Sequence, residues 1–176
     1  EANGERHFHF WRDESAARFY FESPNTPLEK LNQDIDCYYF SGISLAILNA
    51  EARTRLFKLL SSEKKAGKKI VFDNNYRPKL WKDKATTQSV FQEAFGVSTT
   101  ALITADDHQN VFDLQNESDV ISHSQNLGVN EVIIKRGASP TLVRTENDPA
   151  WIEVPTDKVA KVVDTTAAGD SFAAGY

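Results

Sequence analysis

Methionine is absent from the 176 residues, cysteine occurs once, and no apolar run approaches the roughly 20 residues that a membrane-crossing helix needs. One cysteine excludes an internal disulfide. Cys37, set between Asp36 and Tyr38 in an apolar run, is expected to fill core space rather than to act as a nucleophile. The lack of methionine, even at position 1, leads us to expect an internal piece of a longer product. Positive charge is also scarce. With 20 Lys and Arg against 25 Asp and Glu, the net charge of -5 argues against nucleic acid and anionic membranes as partners, because both reward clustered cations. The N-terminus lacks the basic-then-hydrophobic layout of a secretion signal, so a cytoplasmic location is expected and the sequon Asn116-Glu117-Ser118 is read as chance. No G-x-G-x-x-G pattern exists, and Gly67-Lys68-Lys69 lacks both the upstream glycine and the Ser/Thr of a P-loop.

What is present is enough apolar residue, 40%, to bury one sizeable core, and a single domain over residues 1–176 is expected. Strand-like runs alternate with helical periodicity. Asp36 to Phe40 reads as a strand, followed by a helix with Ala52, Leu56, Leu59 and Leu60 on its apolar face and Arg53, Arg55, Lys58 and Glu63 on the other, closed by Gly67. Ile70-Val71-Phe72 is the next strand. Asp83 caps a helix that buries Val90, Phe91, Ala94 and Phe95, and Ala101-Leu102-Ile103 follows as a strand. Val120, Ile121, Ser124 and Leu127 mark another helix ending at Gly128, before a strand at Val132-Ile133-Ile134. Thr141–Arg144 and Trp151–Val154 form a hairpin through Asn147-Asp148-Pro149, and Lys161-Val162-Val163 looks like a last strand. Repeated β-α-β units imply an α/β fold with parallel strands and right-handed crossovers. Ligands of such sheets collect beyond the carboxyl ends of the strands, and Asn75–Arg77, Thr104–Asp107 and Lys135–Ala138 all fall on that rim.

The richest segment is the last one, Asp164-Thr165-Thr166-Ala167-Ala168-Gly169-Asp170-Ser171-Phe172. The first amides of a helix lack intrahelical partners, and Ala167, Ala168 and Gly169 let an anion approach them unobstructed. Asp170 then stands beside the bound phosphate, where a carboxylate can take the proton of a hydroxyl attacking a terminal phosphoryl group. The plainer alternative is a capped helix whose alanines pack on a sheet.

The segment Asp164–Phe172 resembles the C-terminal signature of the ribokinase-like carbohydrate kinases, the PfkB family, in the form of the branch that phosphorylates 2-keto-3-deoxygluconate. Three further blocks fit the same branch in the same order: Ser41–Leu48, Phe72-Asp73-Asn74-Asn75-Tyr76-Arg77-Pro78-Lys79-Leu80-Trp81, and Ile134–Ala138. The resemblance implies a three-layer sandwich around a mostly parallel, doubly wound sheet, with part of a small β lid from residues 5 to 20. It implies ATP and Mg²⁺ as cofactors and a small sugar acid as the acceptor, phosphorylated at its terminal hydroxyl. Self-association of the full-length enzyme stays open.

Residue by residue, the resemblance implies Asp170 as the base and Ala167, Ala168 and Gly169 as the anion hole. Arg77 and Arg12 would hold the acid sugar, as two guanidiniums aimed at one pocket suit an anionic substrate. Phe10 stands where a tyrosine is usual, which removes a hydroxyl contact and bears on selectivity. Asn75, Tyr76 and Arg77, with Lys135, Arg136, Gly137 and Ala138, would line the nucleotide site beside the anion hole. Asp107 occupies the place of a magnesium-ordering acid, acting through water, although a solvated loop acid explains it equally well. His7 and His9 alternate on one strand face without a third metal ligand nearby and read as lid surface, while His108 and His123 carry no signal. Two alternatives stay open, another PfkB kinase (fructokinase, ribokinase or nucleoside kinase) and a non-catalytic sugar-binding relative, and the 176 residues alone are expected to bind nucleotide weakly or not at all.

Overall fold

The computed structural model describes residues 15–176, so Phe10, Arg12, His7 and His9 lie outside the described residues. Among the described residues six strands form one sheet in the order β1 (Cys37–Ser41), β2 (Lys69–Asp73), β3 (Thr100–Thr104), β4 (Glu131–Lys135), β5 (Thr141–Thr145) and β6 (Ile152–Val154). β1 to β4 are parallel, and β4, β5 and β6 pair antiparallel. The mostly parallel α/β sheet expected from the sequence is therefore present, as is the hairpin.

Side chains alternate between the two sheet faces. Tyr38 and Phe40, Ile70 and Phe72, Ala101 and Ile103, Val132 and Ile134 face the larger core. Helices cover that face: α1 (Pro27–Lys30), α2 (Gly42–Ile47), α3 (Ala50–Lys65), α4 (Lys84–Val97), α5 (Ala105–Phe112) and α6 (Glu117–Gln125). Phe72 sits at its centre, stacked on Phe40 at 5.0 Å and edge-on to Phe91 and Phe95 at 5.2 and 5.1 Å. Burying each such ring contributes about 1.5–3 kcal/mol. The alternate positions Val71, Leu102 and Ile133 face the other way, where α7 (Ala168–Gly175) sets Phe172 and Ala173 against them. Among the described residues, every βαβ crossover lies on the first face and α7 is the helix on the second.

The helix boundaries follow local chemistry. Asn49 opens α3 by accepting from the Ala52 N–H at 2.8 Å, and Lys64 and Lys65 complement the negative end of its dipole. Gly67, at φ 86°, then turns the chain. Asp83 caps α4 through the Thr86 N–H at 2.7 Å, a contact worth about 1 kcal/mol. Asn116, the sequon asparagine, caps α6 through the Asp119 N–H at 3.0 Å.

Four expectations need correction. Lys161-Val162-Val163 is exposed coil, because no neighbouring strand offers it an edge. Cys37 is exposed rather than buried, since it points to the α7 side of edge strand β1, where little covers it. Glu63 is not on a solvent face: it is 5% exposed and bound by Lys68 at 2.7 Å and Asn32 at 3.2 Å, partners that offset its desolvation. Of the lid segment, Ala16–Glu22 is a 3-10 helix rather than a strand, started by the Ser15 side chain.

Candidate functional site

The carboxyl ends of β1 to β4 all point to one rim. Ser41 there leads directly into α2 and caps it, with its hydroxyl facing the Ser44 N–H at 3.4 Å. Gly42 follows because nothing larger fits: a Cβ would lie 2.2 Å from the Asn74 carbonyl oxygen and 2.8 Å from the Phe91 ring. Asn74, fully buried, staples β2 to β3 by donating to the Thr104 carbonyl at 3.0 Å and accepting from the Thr104 N–H at 2.9 Å. The chain then turns through Asn75 at φ 21°, which carries Tyr76 and Arg77 outward from the strand.

A cleft of about 640 Å³ opens over this rim. Asp73, Asn75 and Arg77 line it from the end of β2, Thr104 and the first turn of α5 from the end of β3, and Lys135 from the end of β4. The opening of α7 forms the opposing wall, with Ala167, Ala168, Gly169 and Asp170 all on the cleft. A second cavity of about 640 Å³ adjoins it, lined by Gly137, Thr156, Phe172 and Tyr176 among others. Thr104, Lys135, Ala168 and Gly169 border both cavities, so these four mark the junction.

The α7 opening is unusual. Ala167 is a non-glycine residue in the left-handed region, at φ 56°, and the helix has no side-chain cap. Such a conformation costs about 1–2 kcal/mol and recurs where backbone groups are held for a ligand. Among the described residues, the N–H groups of Ala167, Gly169 and Asp170 donate to no backbone carbonyl, whereas that of Ala168 donates to Thr165 at 3.3 Å. Of the three residues read as an anion hole, Ala167 and Gly169 thus keep open amides, Ala168 has its N–H engaged in the turn, and the Asp170 N–H is open beside them. The Asp170 residue is exposed on the cleft.

Several assigned residues make contacts that the sequence did not show. Tyr76 lines neither cavity; its ring is buried and edge-on to Phe91 at 6.3 Å, a core role dictated by the turn at Asn75. Arg136 lines the second cavity, and its guanidinium donates to the Pro140 carbonyl at 2.6 Å and pairs with Glu117 at 2.5 Å and Glu153 at 3.5 Å, bracing the β4–β5 turn. Ala138 borders neither cavity, while Gly137, at φ 62°, supplies the left-handed turn beside the second. Asp107 accepts the Tyr76 N–H at 3.1 Å and lies 3.7 Å from the Arg77 guanidinium. Burial pushes its carboxyl up from the ordinary range, and Arg77 opposes that. Its contacts brace Arg77, and among the described residues no three His, Cys, Asp or Glu side chains converge on a metal position.

Two features escaped the sequence reading. Asp73 is 1% exposed at the end of an apolar strand and holds the Lys135 ammonium at 3.0 and 3.1 Å; the visible signal was a lone acid closing the run Ile70-Val71-Phe72. His108 is fully buried between α5 and α6, 2.9 Å from His123, away from the cleft; burial drops its pKa to about 3 and keeps it neutral.

A family model described as "pfkB family carbohydrate kinase" matches residues 1–176. The chain is 44% identical over 180 residues to a 2-dehydro-3-deoxygluconokinase of Escherichia coli K12 and 44% identical to one of Dickeya dadantii. All of this chain is covered in both, against 58% and 57% of the relatives, so it spans little more than half of their length. Among solved structures it resembles the aminoimidazole riboside kinase of Salmonella enterica complexed with aminoimidazole riboside and an ATP analog, at 27% identity and TM-score 0.69. That match covers 81% of this chain and 48% of the other. Among the described residues, no helix is long and apolar enough to cross a membrane.

Proposed function

The chain belongs to the pfkB family of carbohydrate kinases, and on that premise we propose that the full-length protein transfers the γ-phosphoryl group of ATP to the terminal hydroxyl of 2-keto-3-deoxygluconate, giving the 6-phospho product. The observation that carries the reading is the shared cleft: Asp170, the open amides beside it and the Arg77 guanidinium line one cavity. The nucleotide supplies the phosphoryl group. Asp170 accepts the proton as the hydroxyl oxygen bonds to phosphorus and the bond to the departing ADP breaks. The N–H groups of Gly169 and Asp170, at the positive end of α7, stabilise charge gathering on the transferring group. Arg77, braced by Asp107, presents a planar fork to the substrate carboxylate. Lys135 stands between the two cavities, where the phosphate chain passes. Mg²⁺ brought in with the nucleotide would offset charge on its phosphates, and Asp107 would contact it through water. A cytoplasmic location agrees with the exposed, unpaired Cys37.

A second reading, a kinase of a neutral sugar or nucleoside, is favoured by weaker likenesses to a Vibrio alginolyticus fructokinase (24%) and a Salmonella typhimurium aminoimidazole riboside kinase (25%). ADP release by the full-length protein across a substrate panel separates the two. The proposal expects 2-keto-3-deoxygluconate to exceed fructose, ribose and nucleosides by at least a hundredfold in kcat/KM. A neutral sugar as the best substrate would overturn it.

A further inference from the structure

We propose that Asp73 is a positioning residue that aims the Lys135 ammonium at the junction of the two cavities, and that its effect on nucleotide binding is transmitted through that lysine. The inference rests on the nucleotide half of the function proposed above. Asp73 and Lys135 project from the same sheet face on β2 and β4, with β3 between them, and Asp73 pairs with Leu102 while Lys135 pairs with Thr104. The lysine stem therefore reaches back across β3, and both carboxylate oxygens hold its Nζ, at 3.0 and 3.1 Å. The pair is enclosed, with side-chain exposures of 11% for Lys135 and 1% for Asp73. Two more groups fix the carboxylate itself: the Tyr39 hydroxyl donates to it at 3.3 Å, and so does the Asn75 N–H at 3.3 Å. The Phe172 ring of α7 lies 5.8 Å from the same ammonium.

A buried ion pair is a weak source of net stability, so stability alone does not account for this one. Its location does. Lys135 borders both the cleft that holds Asp170 and the cavity beside Gly137. A lysine stem is flexible, and Asp106, Asp107 and Asp170 line the same cleft as competing acceptors. Two fixed oxygens on the sheet side keep the ammonium at the junction and away from those acids.

The test is a double-mutant cycle on the full-length protein, read as ATP affinity by calorimetry with fold checked by circular dichroism. Lys135→Met is expected to weaken ATP binding at least tenfold, and Asp73→Asn by about tenfold, as the loss of one charge-assisted contact. In the Lys135→Met background, Asp73→Asn should change affinity by less than twofold. Additive losses, unchanged affinity in either single variant, or tighter binding by Asp73→Asn would overturn the inference. Should Asp73→Asn not fold, the comparison of Lys135→Met with the charge-free double variant decides: equal affinities support the inference, and a double variant more than threefold weaker overturns it. Because the readout is ATP binding, intact binding without turnover of the sugar acid would sink the substrate reading alone.

Discussion

Arg77 is half exposed, yet its guanidinium is not free to wander. It donates to the Tyr76 carbonyl at 2.8 Å and faces Asp107 at 3.7 Å, leaving its outer edge for a ligand. Lysine carries the same charge but not the planar fork, and cannot satisfy the backbone carbonyl and a carboxylate in one geometry. Arg77→Lys in the full-length protein should therefore raise the KM for the sugar acid about tenfold or more while moving the KM for ATP less than threefold. Equal losses for both ligands would assign Arg77 a structural role. At this scale the sequence disclosed residue types better than directions. Arg77, Lys135, Gly137 and Asp170 could be named from the blocks in which they stand. That Tyr76 turns into the core, that Arg136 also braces a turn and that Ala168 gives its N–H to Thr165 depends on backbone angles and distant carboxylates that no local spacing encodes.

The elements place these residues through close backbone approach. The opening of α2 lies against the Asn74–Asn75 turn with no space for a side chain at Gly42. Gly42→Ala must therefore push the turn that carries Arg77, at a cost of about 1–3 kcal/mol. Thermal unfolding should show a Tm lowered by several degrees together with a raised KM for the sugar acid; an unchanged Tm would mean that α2 moves aside freely. Strands β1 to β6 and helices α3, α4 and α6 were legible from their apolar periods, and Asp83 takes an N–H as its type prescribes, while the caps at Asn49 and Asn116 emerged only in the structure. Helices α2 and α5 were not, being short and directly fused to the strands before them. The supposed strand at Lys161–Val163 shows the opposite limit, since a β-branched run forms a strand only where a neighbour offers an edge. The His108–His123 contact joins residues 15 apart on different helices, and only packing brings them together.

Across the whole molecule, one sheet divides the labour. The face under α1 to α6 is apolar and carries the larger core, while the α7 face carries Tyr39, Asp73 and Lys135 and ends at the cleft. The parallel arrangement sends all four strand ends to one rim, so residues separated by nearly a hundred positions, Asp73 and Asp170 among them, border one space. In the proposed function that convergence brings Asp170 as the base, the open amides and the Arg77 guanidinium to one substrate, and the base is the part on which the account turns. The decisive measurement is single-turnover ADP formation by full-length Asp170→Asn with ATP and 2-keto-3-deoxygluconate. The account predicts a rate lowered by about 10²–10⁴-fold with ATP affinity within threefold of the unmodified protein. An unchanged rate would contradict it.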